Sequence, residues 1–553
     1  MSGFRLRSVL FTLTIGLWLT LGAHGRGQTS GLAREMIDQA GLPAIERGIS
    51  PVPSVAPTSS DGRRYSAHLR SGTFDRVSSS GVRYAPGRVI VKFRDGVGAE
   101  LKKSIAATAS PSAGIAQHPA YADFDIVTID PNEDAEAVSS SFRQRSDVEY
   151  AQPAYRVYPT LVPNDKFYPL QWNLPMIGLE RAWDIQPSAG SSITVAVIDT
   201  GIAYTTMRVA FTAIGFKVDD SGNLFPDSPQ FPGTSYPALG QIIVPFVAAT
   251  ELATANRFVA PWDFIWGDNL PLDLEGHGTH VTGTIGQLTN NGTNGIGDTA
   301  NGGGTAGVAF NVKIMPVKVL SNGWDEIFGS PNVGTDDIVA QGVRYAADNG
   351  ANVINMSLGR PGPDPSPVME SAIKYAVGKG VFIAIAAGNY YEEGNPISIP
   401  AEIATRVNGA VSVAAVDRTM NHAYYSSTGS WVELAAPGGS QRGFPPEGGI
   451  LQQTVDGDRL ENYPFFPSVS PAQFAAPRAD VLDYEFFQGT SMASPHVAGA
   501  AAMLMQQGIR DPAAIEAALE KFAVDLGDPG RDPIFGYGLI DVRSALRGLG
   551  LAR

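Results

Sequence analysis

Ile193-Thr-Val-Ala-Val-Ile198 is an unbroken run of apolar and β-branched residues, and it ends on an acid, Asp199. A strand without polar alternation has both faces covered, which is the situation of a parallel sheet between two layers of helices. Runs of the same kind recur at 313–320, 351–356, 381–386 and 410–416. Between and after them the spacing predicts helices over His277–Gln287, Thr335–Asn349, Pro367–Lys379 and Ser491–Gln507. Strands alternating with helices make an α/β domain, in which ligands gather beyond the carboxyl ends of the strands. The residues just after these runs are therefore the ones to inspect.

Working outward, the chain changes character at Pro163. Before it, Arg88–Phe93 and Asp125–Asp130 read as strands, Ala99–Ala107 and Asp134–Arg145 as helices, and Val148–Tyr158 as a last strand. That order predicts a small α+β unit over residues 86–160. Residues 28–85 are rich in Ser, Gly, Pro and Arg and read as a flexible leader, with a short helix expected in the apolar patch 33–45. Residues 1–27 carry Arg5 and Arg7, an apolar run from Val9 to Leu21, then small residues. That run is too short to span about 30 Å of hydrocarbon, and the order is that of a secretory signal peptide.

Composition narrows the function. The 553 residues carry 40 Lys and Arg against 54 Asp and Glu, a net charge of -14. Such a surface repels phosphate, so nucleic acid is not an expected partner. Cys is absent, which removes disulfides, thiolate metal sites and a cysteine nucleophile together. Hydrophobic residues at 43% suffice for a large core.

Three segments carry chemistry. Val197-Ile-Asp-Thr-Gly-Ile202 puts an acid at a buried strand's end, Gly276-His-Gly-Thr-His-Val281 opens a helix on a histidine, and Gly489-Thr-Ser-Met-Ala-Ser-Pro-His-Val-Ala-Gly499 opens one on a serine. A hydroxyl needs a neighbouring base to become a nucleophile, and the imidazole needs an acid to fix its tautomer. Bland readings exist for each: a turn for Asp-Thr-Gly, an i, i+3 metal pair for His277 and His280, an N-cap for Ser491. The aspartic-protease reading fails on spacing, since Asp220-Ser-Gly222 follows Asp199 too closely to sit on a separate lobe.

Taken together, the order Asp199, His277, Ser491 with these flanks resembles the subtilisin-like serine proteases, the subtilases, over about residues 163–546, with thermitase-like features. The resemblance implies a subtilisin-like parallel sheet covered by helices on both faces, filling residues 161–553, preceded by a ferredoxin-like propeptide domain that inhibits the enzyme until removed between Tyr155 and Pro163. It implies Asp199, His277 and Ser491 as catalytic residues and Asn389, in Ile385-Ala-Ala-Gly-Asn389, as an oxyanion donor. Ser357, Leu358 and Gly359, facing Ala386, Ala387 and Gly388, would bind substrate backbone. The implied function is a secreted serine endopeptidase, extracellular or periplasmic, monomeric, acting on proteins and peptides through an acyl-enzyme, with no membrane partner once the signal is removed. The alternative is an inactive binding protein on the same fold.

No cofactor is expected for the chemistry. Structural calcium is expected from the resemblance at Asp165 and Asn291, although the family's His-Pro-Asp-Leu after the catalytic acid is replaced by Ala203-Tyr-Thr-Thr, which removes one expected carboxylate. Asp263 and Asp268 match acids of a second ion site, with Trp266 where another acid would stand. Two stretches, 204–260 and 438–486, exceed the family pattern and read as insertions.

Overall fold

Thr194–Asp199 lies inside a seven-stranded sheet whose order is Trp262–Asp263, Lys313–Lys318, Thr194–Asp199, Val353–Met356, Phe382–Ala386, Ala410–Val416, Leu434–Pro437. All six pairings are parallel. The strand order reverses direction at Thr194–Asp199, a switch point where two connections leave to opposite sides and open a crevice. The structure is a computed structural model that describes residues 35–36, 84–155, 161–219, 224–254, 256–291, 304–457 and 477–548.

Helices cover both faces of the sheet. Asp336–Asp348 and Pro367–Gly378 pack on one, burying Ile338, Val343, Met369 and Ile373 against Ile198, Val317 and Ile383. On the other, Thr490–Gln506 crosses the central strands and lies against His277–Gly286. Every residue from Thr490 to Met505 is buried, as a helix apolar on all sides must be. Its small residues permit close approach: a Cβ on Gly499 would lie 2.6 Å from Val308 Cβ. The strands and helices expected from periodicity are thus present to within a few residues of their bounds.

Other elements gave no periodic signal. Leu434–Pro437 and Trp262–Asp263 are short edge strands. Ile450–Val455 pairs antiparallel with Leu482–Phe487 inside the expected second insertion; Gln452, Gln453 and Thr454 are buried there, their side chains bonded to Thr305, Ala306, Thr250, Tyr484 and Gly276. Polar residues buried through hydrogen bonds rather than apolar contact defeat a hydrophobic pattern. Within the first insertion Met207–Ala213 pairs antiparallel with Gly240–Phe246. Within the patch 33–45, Glu35–Met36 is a strand pairing with Val209 and Ala210, not helix; a sheet edge offers ladder partners that a short isolated helix lacks. The other leader residues up to 83, the signal segment and residues 156–160 lie outside the described residues.

Residues 84–155 belong to a separate compact unit. Its order is strand Tyr84–Phe93, helix Ala99–Ala109, strands Gly114–Gln117 and Asp125–Thr128, helix Ala135–Arg143, strand Val148–Tyr155. This is the βαββαβ pattern of the ferredoxin-like fold. Val89, Val91 and Phe93 alternate inward and meet Ile105, Val127 and Phe142 in its core. Asp134 caps the second helix by accepting from Glu136 N.

Candidate active site

Asp199 is the last residue of its strand and is fully buried. His277 is the first residue of its helix, entered through Gly276 at φ 98°. His277 Nδ1 donates to Asp199 Oδ1 at 2.7 Å, and Thr200 N donates to the same oxygen at 2.8 Å. With the proton fixed on Nδ1, Nε2 carries the lone pair, and it has no hydrogen-bond partner among the described residues. The approach is possible only because residue 278 is glycine: a Cβ there would lie 2.2 Å from Gly201 O.

One further acid joins these two segments. Asp273 Oδ1 accepts from Thr200 Oγ1 at 3.1 Å, Glu275 N at 3.0 Å and Gly276 N at 2.8 Å, and Oδ2 accepts from Thr279 N at 3.0 Å. It satisfies donors at the start of the His277 helix that would otherwise be orphaned. Sequence reasoning missed it, because its partners come from both sides of an insertion.

Burial alone would pull the His277 pKa down. The Asp199 charge and hydrogen bond, with Glu275 and Asp273 beyond, outweigh that and raise it above the ordinary imidazole value. Burial also pushes Glu275 up to about 7.

Ser491 sits in the first turn of Thr490–Gln506, at the positive end of the helix dipole. Its Oγ donates to Ser357 O at 3.3 Å rather than to His277. Of the three-membered row, the carboxylate–imidazole link is made and the serine–imidazole link is not. Such links are commonly loose before substrate arrives.

Asn389 follows Phe382–Ala386 through Ala387 and Gly388. Its Oδ1 accepts from Thr490 N and Thr490 Oγ1, both at 2.9 Å, so its Nδ2 is turned the other way. Nδ2 and Ser491 N lie 3.5 and 3.6 Å from the point a Cβ on Gly489 would occupy. Both nitrogens thus lie close to one point beside the serine.

The cleft residues converge as well. Ser357, Leu358, Ala386 and Ala387 are buried at the ends of neighbouring parallel strands. Gly359 and Gly388 approach Ser398: a Cβ on either would lie 3.2 or 2.9 Å from Ser398 Oγ. That hydroxyl is buried without a hydrogen-bond partner among the described residues. Nothing in the sequence around Ser398 signalled it.

Residues 190–538, carrying all of this geometry, match the Subtilase family. The chain belongs to the subtilase family. Residues 73–154 match the Fervidolysin N-terminal prodomain. Among relatives, the thermophilic serine proteinase of Bacillus sp. (strain AK1) is 31% identical over 84% of this chain and 88% of its own length. Thermitase of Thermoactinomyces vulgaris is 30% identical over 66% of this chain and 94% of its own. Fervidolysin of Fervidobacterium pennivorans is 28% identical over 72% of this chain and 50% of its own.

The remaining histidines of this subtilase near the site are structural. His280 Nε2 bonds Ile450 O at 3.0 Å and Glu485 O at 3.1 Å, and its ring stacks on Phe487. His496 bridges Met492 O and Asn173. Among the described residues no group of three or more His, Asp or Glu forms a metal cluster. Asp165 is buried, accepts from Asn290 N at 3.0 Å, and is raised in pKa by burial. Asn291 Nδ2 donates to the buried Glu251 at 3.1 Å. Asp165 thus meets the residue before Asn291, and Asn291 meets a second buried carboxylate, Glu251, unforeseen in the sequence. Residues 292–303 lie outside the described residues. Asp263 Oδ1 accepts from Ile265 N and Trp266 N.

Proposed function

We propose that this serine-type endopeptidase cleaves peptide bonds with Ser491 as nucleophile, His277 as general base and then acid, Asp199 as the orienting carboxylate, and Asn389 Nδ2 with Ser491 N as oxyanion donors. The observation that carries this reading is the 2.7 Å Asp199–His277 hydrogen bond, which in the neutral imidazole leaves the lone pair on Nε2, without a partner among the described residues. Substrate entry turns Ser491 Oγ from Ser357 O to Nε2. Oγ then attacks the carbonyl carbon as its proton passes to His277, giving a tetrahedral oxyanion. Collapse expels the amine, which takes the proton from Nε2, and water releases the acyl group by the same steps in reverse.

Ser357–Gly359 and Ala386–Gly388 hold the extended substrate backbone by strand addition. Ser398, between the two glycines, supports the floor of the pocket for the residue before the scissile bond, and the methyl of Ala386 and the missing side chain of Gly388 leave that pocket broad.

Residues 86–160 act as the propeptide: template, intramolecular inhibitor, then product of self-cleavage between Tyr155 and Pro163. The match to a prodomain supports this. Residues 1–27 direct export, so the mature enzyme, a monomer, works outside the cytoplasm; among the described residues no helix is long and apolar enough to cross a membrane. Asp165, Asn291 and Glu251 hold a calcium ion. A buried carboxylate on one segment, with an amide and a second buried carboxylate on the loop it meets, suits a hard cation, which would supply structural cross-linking and no part of the chemistry.

The test is covalent labelling of the mature protein by a fluorophosphonate. An adduct on Ser491 is expected, and its absence favours the inactive binding protein instead. Ser491→Ala should leave the precursor uncut.

A further inference from the structure

Lys318 ends the strand Lys313–Lys318, pairs in register with Asp199 across the sheet, and is fully buried. A buried ammonium is costly unless its protons are all taken. Here they are. Nζ donates to Thr200 O at 2.8 Å, Leu272 O at 3.2 Å and Asp325 Oδ2 at 2.7 Å. Thr200 follows the acid Asp199, and Leu272 lies on the approach to His277.

Asp325 is itself tied down. Its Oδ1 accepts from Trp266 Nε1 at 2.8 Å, and Oδ2 also accepts from Asn322 N at 3.2 Å. Asn322 caps the short helix Gly323–Ile327 through Asp325 N, while its Nδ2 donates to Leu274 O at 2.6 Å. One connector thus reaches three carbonyls, at 200, 272 and 274, that bracket the acid–base couple.

Stability does not account for such a pair. Apolar residues of similar volume in place of a buried ion pair are often neutral or stabilising. What apolar residues cannot do is fix two carbonyls from different segments at a set separation. The charged groups surrounding this point are Asp199, Asp273, Glu275, Asp325 and His277, with Glu275 feeling the Lys318 charge.

We propose that Lys318, braced by Asp325, is a positioning residue that locks the Thr200 turn to the Leu272 segment and so presets the Asp199–His277 hydrogen bond. It touches no substrate, and it rests on the roles proposed above for Asp199 and His277.

The experiment uses the full chain after self-processing, comparing wild type with Lys318→Met/Asp325→Leu and with Lys318→Arg. Each is measured for thermal melting, for kcat and KM on one peptide, and for the downfield proton resonance of the Asp199–His277 hydrogen bond. The double variant is expected to fold, to keep KM, and to lose kcat by about tenfold to hundredfold, the scale of an ångström-sized misplacement. Its downfield resonance should shift or vanish. Wild-type kcat with an unmoved resonance overturns the proposal. If the double variant does not fold, Lys318→Arg decides: the charge is kept but its planar fork cannot meet the same three acceptors. Reduced kcat at constant KM supports the positioning role, and wild-type kcat overturns it. Failure of the wild type to take a fluorophosphonate at Ser491 would overturn the catalytic reading separately, while the resonance still decides whether Lys318 presets the hydrogen bond.

Discussion

Ser357 Oγ donates to the backbone carbonyl of Ser491 at 2.7 Å. That carbonyl would ordinarily accept from the N–H four residues on, but residue 495 is proline and has none. The cleft strand therefore supplies the missing donor, and Ser357 O in return accepts the Ser491 hydroxyl. The segment that follows Val353–Met356 and the helix that carries Ser491 are thus bonded to each other.

Ser357→Ala removes that donor and leaves a buried carbonyl unpaired. The expected loss is about 1–3 kcal/mol of stability, seen as a lower denaturation midpoint at unchanged slope, together with a lower kcat. Unchanged stability would mean that another donor takes the Ser491 carbonyl.

Asn389→Ala should lower kcat by about 10²–10³ while KM stays near wild type, the loss known for removing this kind of donor in subtilisin, a relative. An equal rise in KM with constant kcat would instead make Asn389 a ground-state binding residue.

The pH dependence follows from His277. As base it must be neutral, and its raised pKa places the acid limb of kcat/KM above the ordinary 6.5. Asp199→Asn should bring that limb down and cost about 10⁴ in kcat. Because the folded pKa exceeds the unfolded one, the pair's contribution to stability is fully present below the unfolded value and lost as pH rises through the folded value. A limb below 6.5 in the free enzyme would contradict the electrostatics described here.

Glu433 is buried and pushed up to about 8: burial dominates, Ser412 N–H opposes it, and Glu516 and Glu520 add to it. Its protonated form suits the fold, so the stability it confers below the ordinary glutamate range disappears as pH rises through about 8. Glu433→Gln should raise the melting temperature at pH 9 and change it little at pH 5. An equal change at both values would point to packing rather than ionisation.

Chelator should lower the melting temperature of the wild type, since a ligand at a hundred times its Kd adds about 2.7 kcal/mol. Asp165→Asn should melt lower and respond less to chelator. A chelator shift that persists undiminished in this variant would place the ion elsewhere.

The strand and helix runs were legible because burial on both faces leaves a continuous apolar record, as in Ile193–Ile198, and the three motif segments were legible because glycines and small residues flank each one. Ile450–Val455 was not, because its buried glutamines and threonine are satisfied by hydrogen bonds from distant residues. The surroundings of Glu251, Asp273, Ser398 and Lys318 were equally hidden. Each side chain is an ordinary one whose partners lie far away along the chain.

What the residues alone determined was local and periodic: which stretches bury, which segments with a histidine or a serine open helices, and that no thiol chemistry is available. What only the tertiary structure decided was which distant groups share protons. Thr200 meets Lys318 across 118 positions, and Ser357 meets Ser491 across 134. Periodicity records how each segment faces the core, whereas hydrogen-bond partners are set by sheet order and helix crossing, which no single segment encodes.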